Sequence, residues 1–209
     1  MRSIRRNTKS HLILSLLFMG LLTPLPGGAA ETSWGPPSEA LKPKVTGFKG
    51  QVIIVAAEDN TKQRPPKKDE VLALNEKIVT GGDSSITIQF GKETQIQLEG
   101  NSQIQISHLK QKGKNNQTQV TLQKGAALVQ VKYPKDSRSR FAVITEPAIF
   151  TTQKSRFKVS FNPQKGESII EVKKGYVNFD PANHDKYPLF LSKGQRFHVS
   201  EKDYGYIRK

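Results

Sequence analysis

No cysteine occurs in these 209 residues, so the fold rests on no disulfide and no thiolate metal site, and neither a cysteine nucleophile nor a lipidated cysteine is available. Long apolar runs are missing too. The longest, Leu12 to Leu22, falls well short of the roughly 18 residues that a spanning helix needs. Nowhere do apolar residues recur at helical spacing over three turns, which argues against a helical bundle or an α/β domain. Of the four histidines (His11, His108, His184 and His198), no two stand at i, i+2 or i, i+4, the spacings that let one element present a pair of metal ligands. There is no nucleophile-elbow pattern and no glycine-rich phosphate cradle; Gly81-Gly82-Asp83 reads as a turn. The carboxylate pairs Glu58-Asp59 and Asp69-Glu70 lie in basic surroundings and read as solvated charge. The chain is therefore read as a non-enzyme without cofactor or metal.

Acidic residues are also scarce, 18 against 33 lysines and arginines, for a net charge of +15. Four of the basic residues (Arg2, Arg5, Arg6 and Lys9) precede the apolar run. Pro24 and Pro26 end that run, and Gly27-Gly28-Ala29-Ala30 supplies small residues for cleavage. This order is that of a secretory signal peptide over residues 1–30. Its removal leaves 29 basic and 18 acidic residues, a net +11, with no stable membrane span in the mature form. Export, most simply to the periplasm, sets nucleic acid aside as a partner. It directs the positive charge toward the anions of the cell envelope.

Residues 31–44 (ETSWGPPSEALKPK) hold three prolines and no periodicity, and read as a flexible lead-in. From Val45 the chain alternates with period two. Examples are Ile86-Thr87-Ile88-Gln89-Phe90, Ile96-Gln97-Leu98, Ile104-Gln105-Ile106 and Phe157-Lys158-Val159-Ser160-Phe161. The expectation is an all-β single domain over 45–200. About a dozen short strands would form a sandwich, roll or short solenoid, followed by a C-terminal tail over 201–209. Ile86, Ile88, Phe90, Ile96, Leu98, Ile104 and Ile106 should share one buried face across adjacent strands. Five Lys-Gly pairs (at Gly50, Gly125, Gly166, Gly175 and Gly194) read as ordinary tight turns. Segments 59–69, 110–119 and 132–140 read as basic loops.

Several blocks resemble FecR-type domains. Ile78-Val79-Thr80-Gly81-Gly82-Asp83-Ser84 and the alternating strand to Phe90 are similar to the family's "TG.GS" entrance. Ser102-Gln103-Ile104-Gln105-Ile106 resembles its "S.I.I", Val120 to Gly125 its "V.L..G", and Phe141 to Ala148 its "F.V.TP.A". Phe157-Lys158-Val159, Val172 to Val177 and Leu191 to Gln195 resemble the closing "F.V", "V..G.V.V" and "L..GQ". The departures, at Asn75-Glu76, Gly91-Lys92-Glu93 and Lys154-Ser155-Arg156, fall at turns. The resemblance implies an exported β-domain that binds protein or cell-wall partners. Signalling members carry a cytoplasmic segment that controls a sigma factor, and the roughly ten residues before the apolar run are too few for one.

Two functions follow as expectations. One is a binding or scaffold module acting by protein–protein contact in the envelope, with Tyr176, Tyr187, Phe190, Tyr204 and Tyr206 as the contact surface. The alternative is binding of peptidoglycan or an anionic envelope polymer through Lys62, Arg64, Lys67, Lys68, Lys112, Lys114, Lys135, Arg138 and Arg140.

Overall fold

Alternation of apolar and polar residues gives each strand one dry and one wet face, and two such sheets placed face to face bury both dry faces. The computed structural model, which describes residues 33–181 and 189–207, has this arrangement; the expected signal peptide and Tyr187 lie outside the described residues. Among the described residues fifteen strands follow one another: β1 (Pro43–Lys49), β2 (Val52–Val55), β3 (Gln63–Arg64), β4 (Lys77–Thr80), β5 (Ser85–Phe90), β6 (Thr94–Leu98), β7 (Gln103–Lys112) and β8 (Asn115–Lys132). After them come β9 (Arg140–Ile144), β10 (Ala148–Thr152), β11 (Lys154–Asn162), β12 (Glu167–Pro181), β13 (Leu189–Ser192), β14 (Arg196–Ser200) and β15 (Tyr204–Tyr206). No helix among the described residues is long and apolar enough to cross a membrane.

The front sheet runs β1-β5-β6-β8-β11-β12-β14-β15. The back sheet runs β3-β2-β4-β7-β8-β9-β10-β12-β13, in which β8 and β9 pair in parallel. Apart from the small β3 at one edge, both orders follow the sequence. The chain therefore advances along one axis, laying hairpins alternately in back and front, which is the short-solenoid form of the all-β expectation.

Two strands belong to both sheets. β8 pairs in the back sheet up to Lys124 and in the front sheet from Gly125. β12 pairs in the front sheet up to Gly175 and in the back sheet from Tyr176. Both corners sit at glycines with positive φ, +85° at Gly125 and +79° at Gly175, a conformation that a Cβ opposes. The Lys-Gly pairs at Gly50 and Gly194 likewise lie where the chain changes sheet, between β1 and β2 and between β13 and β14. Only Lys165-Gly166 closes a hairpin within one sheet, so the reading of five ordinary turns is corrected. A hairpin turn and a sheet-changing corner need the same backbone freedom, and the dipeptide alone does not distinguish them.

The expected core is present. Ile86, Ile88, Phe90, Ile96, Leu98, Ile104 and Ile106 are all buried, with Ile86 opposite Leu98 and Ile88 opposite Ile96. Their expected common sheet is not found, because Ile104 and Ile106 lie on β7 in the back sheet. The corner at Gly100-Asn101 carries the chain across, and the two sets meet through the core. Phe90 of the front sheet meets Phe141 of the back sheet edge-on at 5.6 Å, and Phe179 meets Phe197 at 5.1 Å. Aromatic pairs in such geometries add to the apolar burial.

The flanking segments are more ordered than their composition suggests. Gly35 exchanges two 3.0 Å backbone hydrogen bonds with Gln111, Leu41 is buried at the end of a 3₁₀ turn over Glu39–Leu41, and the strand proper starts at Pro43. Within the expected tail, β15 pairs with β14 as an edge strand. The expected loop 110–119 is for the most part the β7–β8 hairpin, closed over Gly113-Lys114. Its Lys, Asn and Gln residues give it loop composition, while Thr118 supplies its buried side.

Candidate binding surfaces

Because the chain returns to the same two edges, its connections collect on two rims. The upper rim carries the β7–β8 hairpin, the 133–139 connection, and the corners at Gln153, Gly175 and Lys193-Gly194. The lower rim carries the corners at Gly50, Gly81–Ser84, Glu99–Asn101 and Lys124-Gly125, and the turns at 145–147, 163–166 and 201–203.

Of the three basic segments, 110–119 and 132–140 meet at the upper rim. The Arg138 N–H donates to Asn115 Oδ1 at 2.7 Å, and the Asn116 N–H donates to Ser139 Oγ at 2.9 Å. Segment 59–69 packs elsewhere, with Gln63 and Arg64 paired to β2 and the Asp69 N–H bonded to Val45 O of β1. Several of the nine basic residues already hold carboxylates. Arg64 bridges Glu70 at 2.6 Å and Glu76 at 3.1 Å, Lys62 lies 3.6 Å from Asp59, and Lys114 pairs with Asp136. The Asp136 carboxyl is held below the usual range by its bond from Lys114, and Asp59 by the Thr61 hydroxyl. Both stay charged and offset their lysines. Lys67, Lys68, Lys112, Lys135, Arg138 and Arg140 have no ion-pair partner among the described residues.

The aromatic residues divide differently. Tyr176 and Phe190 are each 68% exposed on the outer face of the back sheet. Phe190 stands opposite Asn178 and so diagonal to Tyr176, within reach across neighbouring strands. On β10 the outward Ile149 is opposite Asp180. Tyr204 instead joins the core aromatics, 5.9 Å from Phe197 and 6.2 Å from Phe179. Tyr206 packs edge-on against Phe197 at 5.0 Å, on the edge strand of the front sheet. The structure brings Tyr176 and Phe190 together and places Tyr204 and Tyr206 elsewhere.

Sequence reasoning missed a second cationic group at the upper rim, made by Lys132, Lys154, Arg156 and Lys174. The signal was the register. Lys154 sits directly across from Lys132, and Arg156 directly across from Lys174. Among the described residues no group of three or more His, Asp and Glu is placed to hold a metal.

A family model for the FecR protein matches residues 76–202. The chain belongs to the FecR family. No curated protein matches it. Two crystal structures of a candidate anti-sigma factor from Parabacteroides distasonis resemble it at 15% and 14% identity, with TM-scores of 0.48 and 0.47. In both cases the alignment covers 64% of this chain and 58% of the other, so the chain spans less than two thirds of those proteins' length.

The FecR blocks now have a physical account, since several are lower-rim corners stacked on one another. The fully buried Ser102 donates its hydroxyl to Gly100 O at 3.0 Å and accepts the Ala126 N–H at 2.8 Å. The Thr80 hydroxyl donates to Glu99 O at 2.5 Å and accepts the Ser102 N–H at 3.0 Å. Ser84 Oγ accepts the Gln51 N–H at 2.8 Å. Each hydroxyl satisfies backbone groups that a corner takes out of the ladder. Replacing Ser102 by alanine should cost about 1–3 kcal/mol, because its buried partners lose their bonds. Ser107→Ala, at a half-buried site, should cost far less; thermal denaturation of the two variants checks this.

Proposed function

We propose that this FecR domain is an exported binding module of the cell envelope that acts by protein–protein contact through the outer face of the back sheet. The observation that carries the reading is the pair Tyr176 and Phe190, two large aromatic side chains standing mostly in solvent on adjacent strands. Exposed aromatics grouped on one face favour a protein contact, where they supply rigid area at small entropic cost. The outer face of the front sheet is polar by contrast, with Thr87, Gln89, Gln95, Gln97 and Gln130 at its outward positions. β13 has no further strand beyond it among the described residues, so the aromatic face adjoins an open edge on which a partner strand could pair.

The test places a photo-crosslinking amino acid at position 190 and, as a control, at position 97 on the front sheet. The expected result is a discrete protein adduct in envelope extracts from position 190 and none from position 97. The Tyr176→Glu variant should reduce that adduct while leaving the thermal midpoint unchanged. Position 190 giving no protein adduct would overturn the reading.

A further inference from the structure

The positive charge of this domain is spread along the sequence but concentrated in space. The upper-rim segments 91–93, 112–115, 132–140, 153–156, 173–175 and 193–194 contain twelve lysines and arginines and two carboxylates, Glu93 and Asp136. The lower-rim corners at 49–50, 81–84, 99–101, 124–125, 145–147, 163–166 and 201–203 contain four lysines and five carboxylates. The folding pattern causes the separation, because successive turns of the chain return to the same rim and bring residues far apart in sequence side by side.

At the centre of the upper rim the arrangement works against the fold. Lys132 faces Lys154 and Arg156 faces Lys174 across neighbouring strands, and like charges directly opposite destabilise a sheet. Glu93 offsets Lys132. No carboxylate among the described residues is within ion-pair distance of Lys154, Arg156 or Lys174. These four residues surround a hollow of ≈ 520 Å³ whose lining also includes Ser155, Gly175 and the exposed ring of Tyr176. Ser155 points inward and Gly175 lies against the Lys154 main chain, so the floor of the hollow between the long cations is backbone. The buried Ser155 Oγ has no hydrogen-bond partner. On the other side of Tyr176 a second hollow of ≈ 410 Å³ is lined by Arg140, Asn178 and Asp180.

We propose that this rim is a binding site for an extended polyanionic glycan, whose acidic groups lie along Lys132, Lys154, Arg156 and Lys174 while a sugar ring rests in the hollow beside Tyr176. Neighbouring strands lie about 4.8 Å apart, so the cations form a row rather than a single pocket, which fits a linear polymer. An anionic membrane is the less favoured partner, because Tyr176 is the one large apolar group exposed among these cations and surface-binding elements combine charge with a broad apolar face. The like-charge pairs that oppose folding become favourable once the polymer supplies counter-charge. The two sites share Tyr176 at their border, but none of the four cations lies on the Phe190 face, so substitutions at 154 and 156 test the glycan site alone.

The test measures binding of a heparin oligosaccharide and of polygalacturonate to the mature domain over a range of salt. Two variants with equal change in net charge are compared: Lys154→Glu/Arg156→Glu at the upper rim and Lys124→Glu/Lys165→Glu at the lower. The expected result is loss of affinity by about tenfold or more in the first and little change in the second, with wild-type binding weakening steeply as salt rises. The upper-rim variant should keep or raise the thermal midpoint, because a carboxylate introduced at position 154 would face Lys132. If it fails to fold, Lys154→Gln/Arg156→Gln takes its place, with Lys124→Gln/Lys165→Gln as its control of equal charge change. Equal losses in both variants would mean that net charge alone acts and would overturn the proposal. So would absence of glycan binding, or binding only to mixed phosphatidylcholine–phosphatidylglycerol vesicles.

Discussion

Replacing Gly125 by alanine is expected to destabilise the domain by more than about 3 kcal/mol, a large share of the stability of a domain this size. Two effects combine. The residue holds φ at +85°, a strain of about 1–3 kcal/mol for a non-glycine residue. An added Cβ would also stand 2.1 Å from Ser102 Oγ and 2.5 Å from Ser102 Cα. The second distance matters more, since a hydroxyl can rotate away and a backbone atom cannot. Gly113→Ala separates the two causes. Gly113 has φ +55° and nothing within 4 Å of an added Cβ, so it should lose only the conformational part, about 1 kcal/mol. Chemical denaturation of both variants decides the matter, and equal losses would show that the contact with Ser102 yields.

Truncation of Phe90 to alanine should cost about 3–5 kcal/mol and lower the thermal midpoint by roughly 10 °C. Phe90 is 1% exposed, closes β5 opposite Thr94, and meets Phe141 from the other sheet. Its removal therefore opens a void where the two sheets meet, and neither backbone can move in to fill it without breaking ladder bonds. Phe190→Ala is the contrasting case. That ring is mostly in solvent, so its loss should leave the midpoint nearly unchanged. Calorimetry on the two variants tests the assignment of inside and outside together.

The dry faces were legible because period two is a local signal. Ile86, Ile88 and Phe90 announce their burial within five residues, and β2 and β5 lie where alternation or apolar runs place them. What was not legible depended on which sheet a segment joined. β8 reads as two strands, around Val120 and around Leu128, because Lys124-Gly125 resembles a hairpin turn. The bonds that make it one strand with a corner come from Ser102 and Phe161, far away in the sequence. The same holds for the cations. Lys132, Lys154 and Lys174 are some twenty residues apart along the chain, and only the register sets them side by side. The exposed pair Tyr176 and Phe190 was legible as a composition bias of the C-terminal third. Its separation from Tyr204 and Tyr206 was not, because corners decide which sheet an aromatic residue faces.

The two sequence-ordered sheets also set how the domain comes apart. Each layer touches chiefly the layers before and after it, so stability is passed along the stack from neighbour to neighbour. The first layer is held from outside by residues 69–72, which bond to Pro43 and Val45. The last, β13 with β14 and β15, has a neighbouring layer on one side only among the described residues. Opening should therefore begin at the C-terminal layer and leave the first layers standing. Amide exchange would then rise in steps toward β15, and the Tyr176–Phe190 surface would belong to the part of the molecule most easily reshaped by whatever binds it.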